Sequence, residues 1–213
     1  MRITVLGATG AAGSRIVSEA LDRGHDVTAV TRDAARFAAL DPRARRRTGN
    51  ALDPRSVAEL AAGQDLLISA TRPVPGQEYQ LPAAARALFT GLSGTGVRLL
   101  LLGGAGSLRL PGSADLTVVD GPDFPPSWRP IALACNEQLD VCRSAGPDVD
   151  WAYVSPAAIF EPGPRTGSYR LGTDELLVDA DGDSAISMED MAIALLDEAE
   201  RPKHHRTRFT VGY

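Results

Sequence analysis

Three glycines spaced three apart form the first segment of this chain that could do chemistry: Gly7-Ala8-Thr9-Gly10-Ala11-Ala12-Gly13. A compact apolar run, Arg2–Leu6, precedes them, and Ala12, Ile16, Val17, Ala20 and Leu21 follow at helical spacing. The glycines therefore occupy a strand-to-helix turn. Such a turn presents unpaired N–H groups and the positive end of a helix dipole, which together suit a phosphate. Gly7 permits the tight turn, Gly10 lets a pyrophosphate approach the backbone, and Gly13 lets the helix pack closely on the strand. Thr9, Ala11 and Ala12 belong to the same predicted binding segment. The second strand ends Val30-Thr31-Arg32-Asp33. Arg32 stands where an NAD site places an acid, and a guanidinium pairs bidentately with a 2′-phosphate. The spacing thus predicts NADP(H) in preference to NAD(H), with Asp33 capping the next helix.

Proton chemistry has few candidates. Of the 22 basic residues only Lys203 is lysine, which excludes a Tyr-x-x-x-Lys pair and most Schiff-base mechanisms. Tyr153 falls inside a predicted strand and reads as core, whereas Tyr169 falls in a loop. Cys135 and Cys142 lie seven residues apart on a predicted helix, a rise of about 10 Å that a disulfide does not span. They read as reduced core residues. His204 and His205 adjoin Lys203 and Arg206 and read as a helix-end cluster. No metal site is predicted.

The elements that must position these residues follow from periodicity. Strands are expected at Arg2–Leu6, Asp26–Val30, Arg45–Thr48, Asp65–Ser69, Val97–Leu102 and Val149–Val154, with a last one at Arg208–Val211. Helical patterns intervene, the signature of βα units and a parallel, doubly wound Rossmann-like α/β sheet. Asp53-Pro54 supplies an N-cap and first-turn proline, and Ser187 with Asp190 has capping-box spacing. The 213 residues fit one domain. Two Pro- and Gly-rich stretches, 104–130 and 155–186, are expected as loops over the ligand edge.

Composition narrows the function class. Residues 1–110 carry a formal +5 and residues 111–213 a formal −10, so the amino-terminal half suits an anionic ligand. The cluster Arg43, Arg45, Arg46, Arg47 has no neighbouring aromatic, which argues against nucleic acid. No apolar run is long enough to span a bilayer, and the first residues lack a signal-peptide layout. A cytoplasmic protein acting on a small molecule is expected.

Further motifs carry a resemblance. Gly-Ala-Thr-Gly-x-x-Gly, the run from Arg23 to Arg32, and Gly49-Asn50-Ala51-Leu52-Asp53-Pro54 resemble the atypical short-chain dehydrogenase/reductase group. That group includes NmrA-like proteins, flavin reductases and biliverdin-IXβ reductases. Trp151-Ala152-Tyr153-Val154-Ser155-Pro156, Glu161-Pro162-Gly163 and the run from Arg165 to Arg170 resemble the bacterial members labelled epimerase/dehydratase. The resemblance implies that Asn50, Ala51 and Leu52 lie near adenine, with Asn50 replacing a frequent aspartate. It also implies that Ser69, Ala70 and Thr71 contact pyrophosphate and nicotinamide ribose. Ser107 would orient nicotinamide and acceptor, and the backbone of Ser155, Pro156 and Ala157 would hold the carboxamide.

One departure bears on the reaction. Tyrosine-dependent relatives carry Tyr-x-x-x-Lys where this chain reads Trp128-Arg129-Pro130-Ile131-Ala132-Leu133-Ala134. Alcohol oxidation and epimerisation need a positioned base, whereas hydride transfer to an easily reduced acceptor needs mainly orientation. The expected function is an NADP(H)-dependent reductase of a conjugated, flavin- or quinone-like acceptor. The alternatives are a non-catalytic NADP-binding sensor and an NAD-dependent sugar-nucleotide epimerase or dehydratase.

Overall fold

A computed structural model describes all 213 residues. Eight strands form one sheet: β1 Arg2–Leu6, β2 Asp26–Thr31, β3 Arg45–Thr48, β4 Leu66–Ser69, β5 Arg98–Leu102, β6 Trp151–Pro156, β8 Arg170–Gly172 and β10 Thr207–Gly212. Their order is β3-β2-β1-β4-β5-β6-β10-β8, and all neighbours are parallel except β10 and β8. Two further strands, β7 Ile159–Glu161 and β9 Ala185–Ser187, pair separately. The helices are α1 Ala11–Asp22, α2 Pro54–Ala61, α3 Gln80–Leu92, α4 Arg129–Ser144 and α5 Met188–Glu200.

Helices cover both faces of the sheet, so the central strands are apolar on both sides. On one face Ile16, Val17 and Ala20 of α1 join Met191, Leu195 and Leu196 of α5 against Ile3, Val5 and Ile68. On the other, Val57 and Leu60 of α2, Leu88 and Leu92 of α3, and Leu139 of α4 bury Leu67, Leu99 and Leu101. Capping residues set the helix starts. Asp53 Oδ1 accepts from the Arg55 N–H at 3.0 Å, and Asp33 Oδ1 accepts from the Ala35 N–H at 2.9 Å, opening a short 3₁₀ helix at Ala34–Ala39.

Of the two expected loop regions, 104–130 is irregular apart from short 3₁₀ turns at Val118–Asp120 and Pro126–Trp128 and the start of α4, whereas 155–186 is partly strand. Residues 155–186 contain β7, β8 and most of the approach to β9. These strands are three residues each, too short to show a period-two pattern. The stretch 163–169 packs on α1 and α5 and is anchored there by carboxylates. Arg165 pairs with Glu19 at 3.0 Å, the Gly163 N–H donates to Glu189 Oε2 at 2.8 Å, and Tyr169 donates to Asp197 Oδ2 at 2.6 Å. The other region, 104–130, docks on the segment before β9. The Arg109 N–H donates to the Asp174 carbonyl and the Leu176 N–H to the Arg109 carbonyl, which satisfies both backbones while Leu108 is fully buried.

Candidate active site

The strand order reverses direction between β1 and β4, and ligands of open α/β sheets bind beyond the strand ends at such a point. A cavity of about 380 Å³ lies there. Leu6, Thr31, Ala70 and Leu102, at or just past the ends of β1, β2, β4 and β5, all reach it.

The glycine turn forms one wall. Gly7 has φ +79°, and a Cβ there would stand 2.5 Å from the Ala70 carbonyl oxygen. At Gly13 a Cβ would stand 2.1 Å from the Gly7 carbonyl oxygen. Both glycines are therefore required by packing, and Gly13 itself stands behind the wall. Gly10 is different: its backbone is ordinary extended chain at φ −79° and ψ 166°, and an added Cβ would meet only the Gly7 oxygen, at 3.2 Å. No side chain caps α1 and no acid lies in its first turn, and the Ala11 and Ala12 N–H groups have no acceptor within the protein. This uncapped helix start, beside a turn that excludes side chains, fits the pyrophosphate of a dinucleotide. Thr9, Gly10, Ala11 and Ala12 all line the cavity.

The β2 end carries Arg32 and Arg36. Arg32 is exposed, and an Arg36 Nη lies 3.4 Å from the Thr9 carbonyl oxygen. Asn50, Ala51 and Leu52 complete this end. Asn50 Oδ1 accepts from the Leu52 N–H at 3.1 Å, which fixes the loop after β3. Arg36 was not singled out by sequence, because one arginine in a short polar segment has no distinguishing pattern; only the 3₁₀ turn brings it beside Arg32.

The β4 and β5 end is lined by Ala70, Thr71, Arg72 and Gly103, with Leu81 and Ala84 from α3. Ile131 and Cys135 from α4, Phe160 from β7 and Met188 from α5 close it. These distant contributors left no sequence signal, since an apolar residue facing a cavity has the same spacing as one facing the core. Burial pushes the Cys135 thiol up to about 11, so it is protonated at neutral pH.

Ser69, Ser107, Ser155, Pro156 and Ala157 stand off the cavity walls. Ser69 is buried beneath Thr71, its Oγ 3.4 Å from Thr71 Oγ1. Ser107 Oγ accepts from an Arg208 Nη at 2.9 Å, and Arg208 pairs with Asp174. Ser155 is fully buried and its Oγ has no partner. Pro156 ends β6, and Ala157 packs into the core beneath α5.

Both tyrosines are committed elsewhere. Tyr153 donates to the Cys135 carbonyl at 2.9 Å and accepts from the Gly104 N–H at 3.3 Å; full burial raises its pKa well above the ordinary phenol. Burial and then the Asp197 carboxylate push Tyr169 up as well. No tyrosine, histidine, lysine or serine lines the cavity. The histidine cluster lies at the end of α5. His204 Nδ1 is 2.8 Å from Glu198 Oε2 and its ring stacks on Phe209. No helix is long and apolar enough to cross a membrane.

Comparison with known proteins agrees with this geometry. Residues 7–202 match the family model described as NAD(P)H-binding. YwnB of Bacillus subtilis, a protein of uncharacterised function, is 41% identical over 99% of this chain and 98% of its own length. A crystal structure from Burkholderia pseudomallei, named a candidate exported protein, has 37% identity and TM-score 0.89 with each chain covered completely. One from Streptococcus pneumoniae, named a candidate NADH-flavin reductase, has 32% identity and TM-score 0.89, covering 100% of this chain and 99% of that one. The glycine turn, the sheet order and these matches together make the chain a member of the NAD(P)H-binding family.

Proposed function

We propose that the protein is an NADP(H)-dependent reductase that passes hydride to a small conjugated acceptor of flavin or quinone type, in the cytoplasm. The observation that carries this reading is the make-up of the cavity. It joins a dinucleotide-shaped wall to a largely apolar end and has no tyrosine, histidine or lysine to act as a base, and its one carboxylate, Asp33, is at the β2 end, where it caps the 3₁₀ helix. A bound nicotinamide supplies the hydride; the chain's own residues bind, orient and exclude water. Ala11 and Ala12 would donate backbone N–H groups to the pyrophosphate, while Leu81, Ile131, Phe160 and Met188 hold an aromatic acceptor. An acceptor of this type takes its proton from solvent, so the lack of a positioned acid does not stop turnover. The Streptococcus relative, named for NADH-dependent flavin reduction, supports the flavin-type acceptor and not the choice of NADP(H).

Stopped-flow oxidation of NADPH against a panel of flavins and quinones tests the reading. Turnover is expected, and Tyr153→Phe and Tyr169→Phe should each keep it within about fivefold, because a positioned proton donor is worth about 10²–10⁴-fold and neither hydroxyl faces the cavity. A thousandfold loss in either variant with NADPH binding intact would restore a tyrosine-dependent mechanism. NADPH binding without turnover of any acceptor would favour the sensor.

Cofactor choice rests on Arg32. It makes no ion pair within the protein and faces the cavity beside Arg36, while the Asp33 carboxylate accepts from the Ala35 N–H. Arg32→Ala should weaken NADPH by about tenfold to a hundredfold and NADH far less, since a charge-assisted hydrogen bond is worth about 1.5–3 kcal/mol. Equal losses in titrations of the two nucleotides would remove Arg32 from 2′-phosphate recognition.

A further inference from the structure

Ile131 and Cys135 of α4 belong to the largely apolar end of the cavity, whose polar members are Thr71, Arg72 and Gln80. Four residues apart, they share one face of the helix. Trp128, three residues before Ile131, continues that face outward, because its backbone is still helical at φ −96° and ψ −10°. The seven residues from Cys135 back to Trp128 rise about 10 Å. Over that length exposure climbs from 9% at Cys135 to 52% at Trp128, so one apolar stripe runs from the cavity wall to the surface. The opening has a second apolar side. Leu81 of α3 clusters with Cys135 and Ile131, and on the segment before α3 the cavity-lining Pro73 is followed by Val74, itself 52% exposed.

The indole is held on a stiff support. Pro125 and Pro126 before it and Pro130 after it fix their own φ angles. The Trp128 N–H donates to the Pro125 carbonyl at 3.0 Å, and an Arg129 Nη donates to the Val119 carbonyl at 2.8 Å. A large aromatic surface left in water on a rigid segment costs little further ordering when something covers it. Its place in the fold selects the occupant, since the stripe is continuous with the acceptor end and lies away from the nucleotide wall at β2. From this continuity we infer that Trp128 is a specificity-determining residue. It packs on an apolar substituent that projects from the acceptor's reacting ring through the cavity mouth, so that a branched acceptor is preferred to the bare ring. This rests on the reductase reading and adds to it what the acceptor carries.

Tetramethylbenzoquinone and trimethylprenylbenzoquinone share one ring and differ by an apolar branch, so they isolate the contact. Both rings are fully substituted, which leaves no open position for the Cys135 thiol. Two measurements apply to the wild type, Trp128→Ala and Trp128→Phe: NADPH oxidation with each quinone, and quinone binding to the NADP⁺-loaded protein by fluorine NMR of incorporated fluorotryptophan. The chain has two tryptophans, and Trp151, buried and edge-on to Phe89, is the internal reference. Because Trp128 is half in water and outside both large core clusters, its truncation leaves the core intact. The wild type should favour the prenyl compound by about tenfold in kcat/KM and Kd, as expected for covering part of the branch. Its Trp128 signal should move with that compound while the Trp151 signal stays. Trp128→Ala should lose about tenfold more for the prenyl compound than for the tetramethyl one, and Trp128→Phe should recover most of the preference. If neither quinone oxidises NADPH but the binding preference exists and Trp128→Ala removes it, the assignment stands while the reductase reading falls. Equal binding of the two quinones by the wild type, no binding of either, or an unmoved Trp128 signal overturns the assignment. So does a wild type that self-associates in sedimentation when Trp128→Ala does not, which would give the indole to an interface with a second copy.

Discussion

Gly10→Val is expected to abolish nucleotide binding in a protein that still folds. Gly10 is one of three glycines in the turn, and only there does the backbone tolerate a side chain. Its φ of −79° is open to any residue, and beyond its own chain neighbours its Cβ position meets within 4 Å only one atom, the Gly7 carbonyl oxygen at 3.2 Å. A valine therefore stands in the space before the Ala11 and Ala12 N–H groups without disturbing β1. Losing two hydrogen bonds to a charged phosphate, at about 1.5–3 kcal/mol each, weakens binding by about a hundredfold or more. Isothermal titration with NADPH and NADH, alongside thermal unfolding, checks both halves. A folded Gly10→Val protein with unchanged affinity would move the pyrophosphate away from the turn. Gly13→Val is the contrasting control, because a Cβ only 2.1 Å from the Gly7 oxygen should cost stability itself.

Asp190→Ala should produce the largest loss of stability among single carboxylate changes on the α1 and α5 face. Asp190 is fully buried, and its backbone N–H donates to Ser187 Oγ at 3.0 Å, as the capping spacing predicts. Its carboxylate does not return to the cap. Oδ2 accepts from Thr166 Oγ1 at 2.5 Å and from the Tyr213 hydroxyl at 2.7 Å, and Oδ1 accepts from the Gly167 N–H at 2.8 Å. One side chain thus ties together the stretch 163–169, the end of β10 and the start of α5, two residues from the cavity-lining Met188. Removing it strands three donors and should cost about 2–4 kcal/mol. Burial alone would raise the Asp190 pKa, but the hydrogen bonds from Thr166, Tyr213 and Gly167 outweigh it and hold the pKa below the ordinary value. A depressed carboxylate pKa gives stability that is fully present above the unfolded-state value of about 3.9 and is lost as pH falls through the lower folded value. Urea unfolding of wild type and Asp190→Ala should therefore differ fully at pH 7, and the gap should begin to close below about pH 4. A gap that stays constant down to pH 3 would show that the loss is one of packing rather than charge.

The amino-terminal half of the fold was legible because its signals are local. A glycine turn between an apolar strand and an amphipathic helix specifies its own geometry within about ten residues. Asp33, Asp53 and Ser187 cap helices through bonds two or three residues away, so their spacing alone carries the information. Family resemblance extended this to the nucleotide, and Arg32, Asn50, Ala51, Leu52, Ala70 and Thr71 do face one cavity. What the sequence could not decide depends on contacts across long separations. Ser107 has the right place in the chain, but Arg208, 101 residues later, takes its hydroxyl as an acceptor. The stretch 163–169 looked like a ligand-edge loop because it is polar and glycine-rich; Glu19, Glu189, Asp190 and Asp197 draw it onto the helices instead. The apolar end of the cavity is assembled from α3, α4, α5 and β7, whose contributions resemble core residues until the sheet brings them around one space. Local sequence determined the nucleotide-shaped wall, whereas tertiary structure decided the acceptor end, because its residues meet only after the whole sheet is formed.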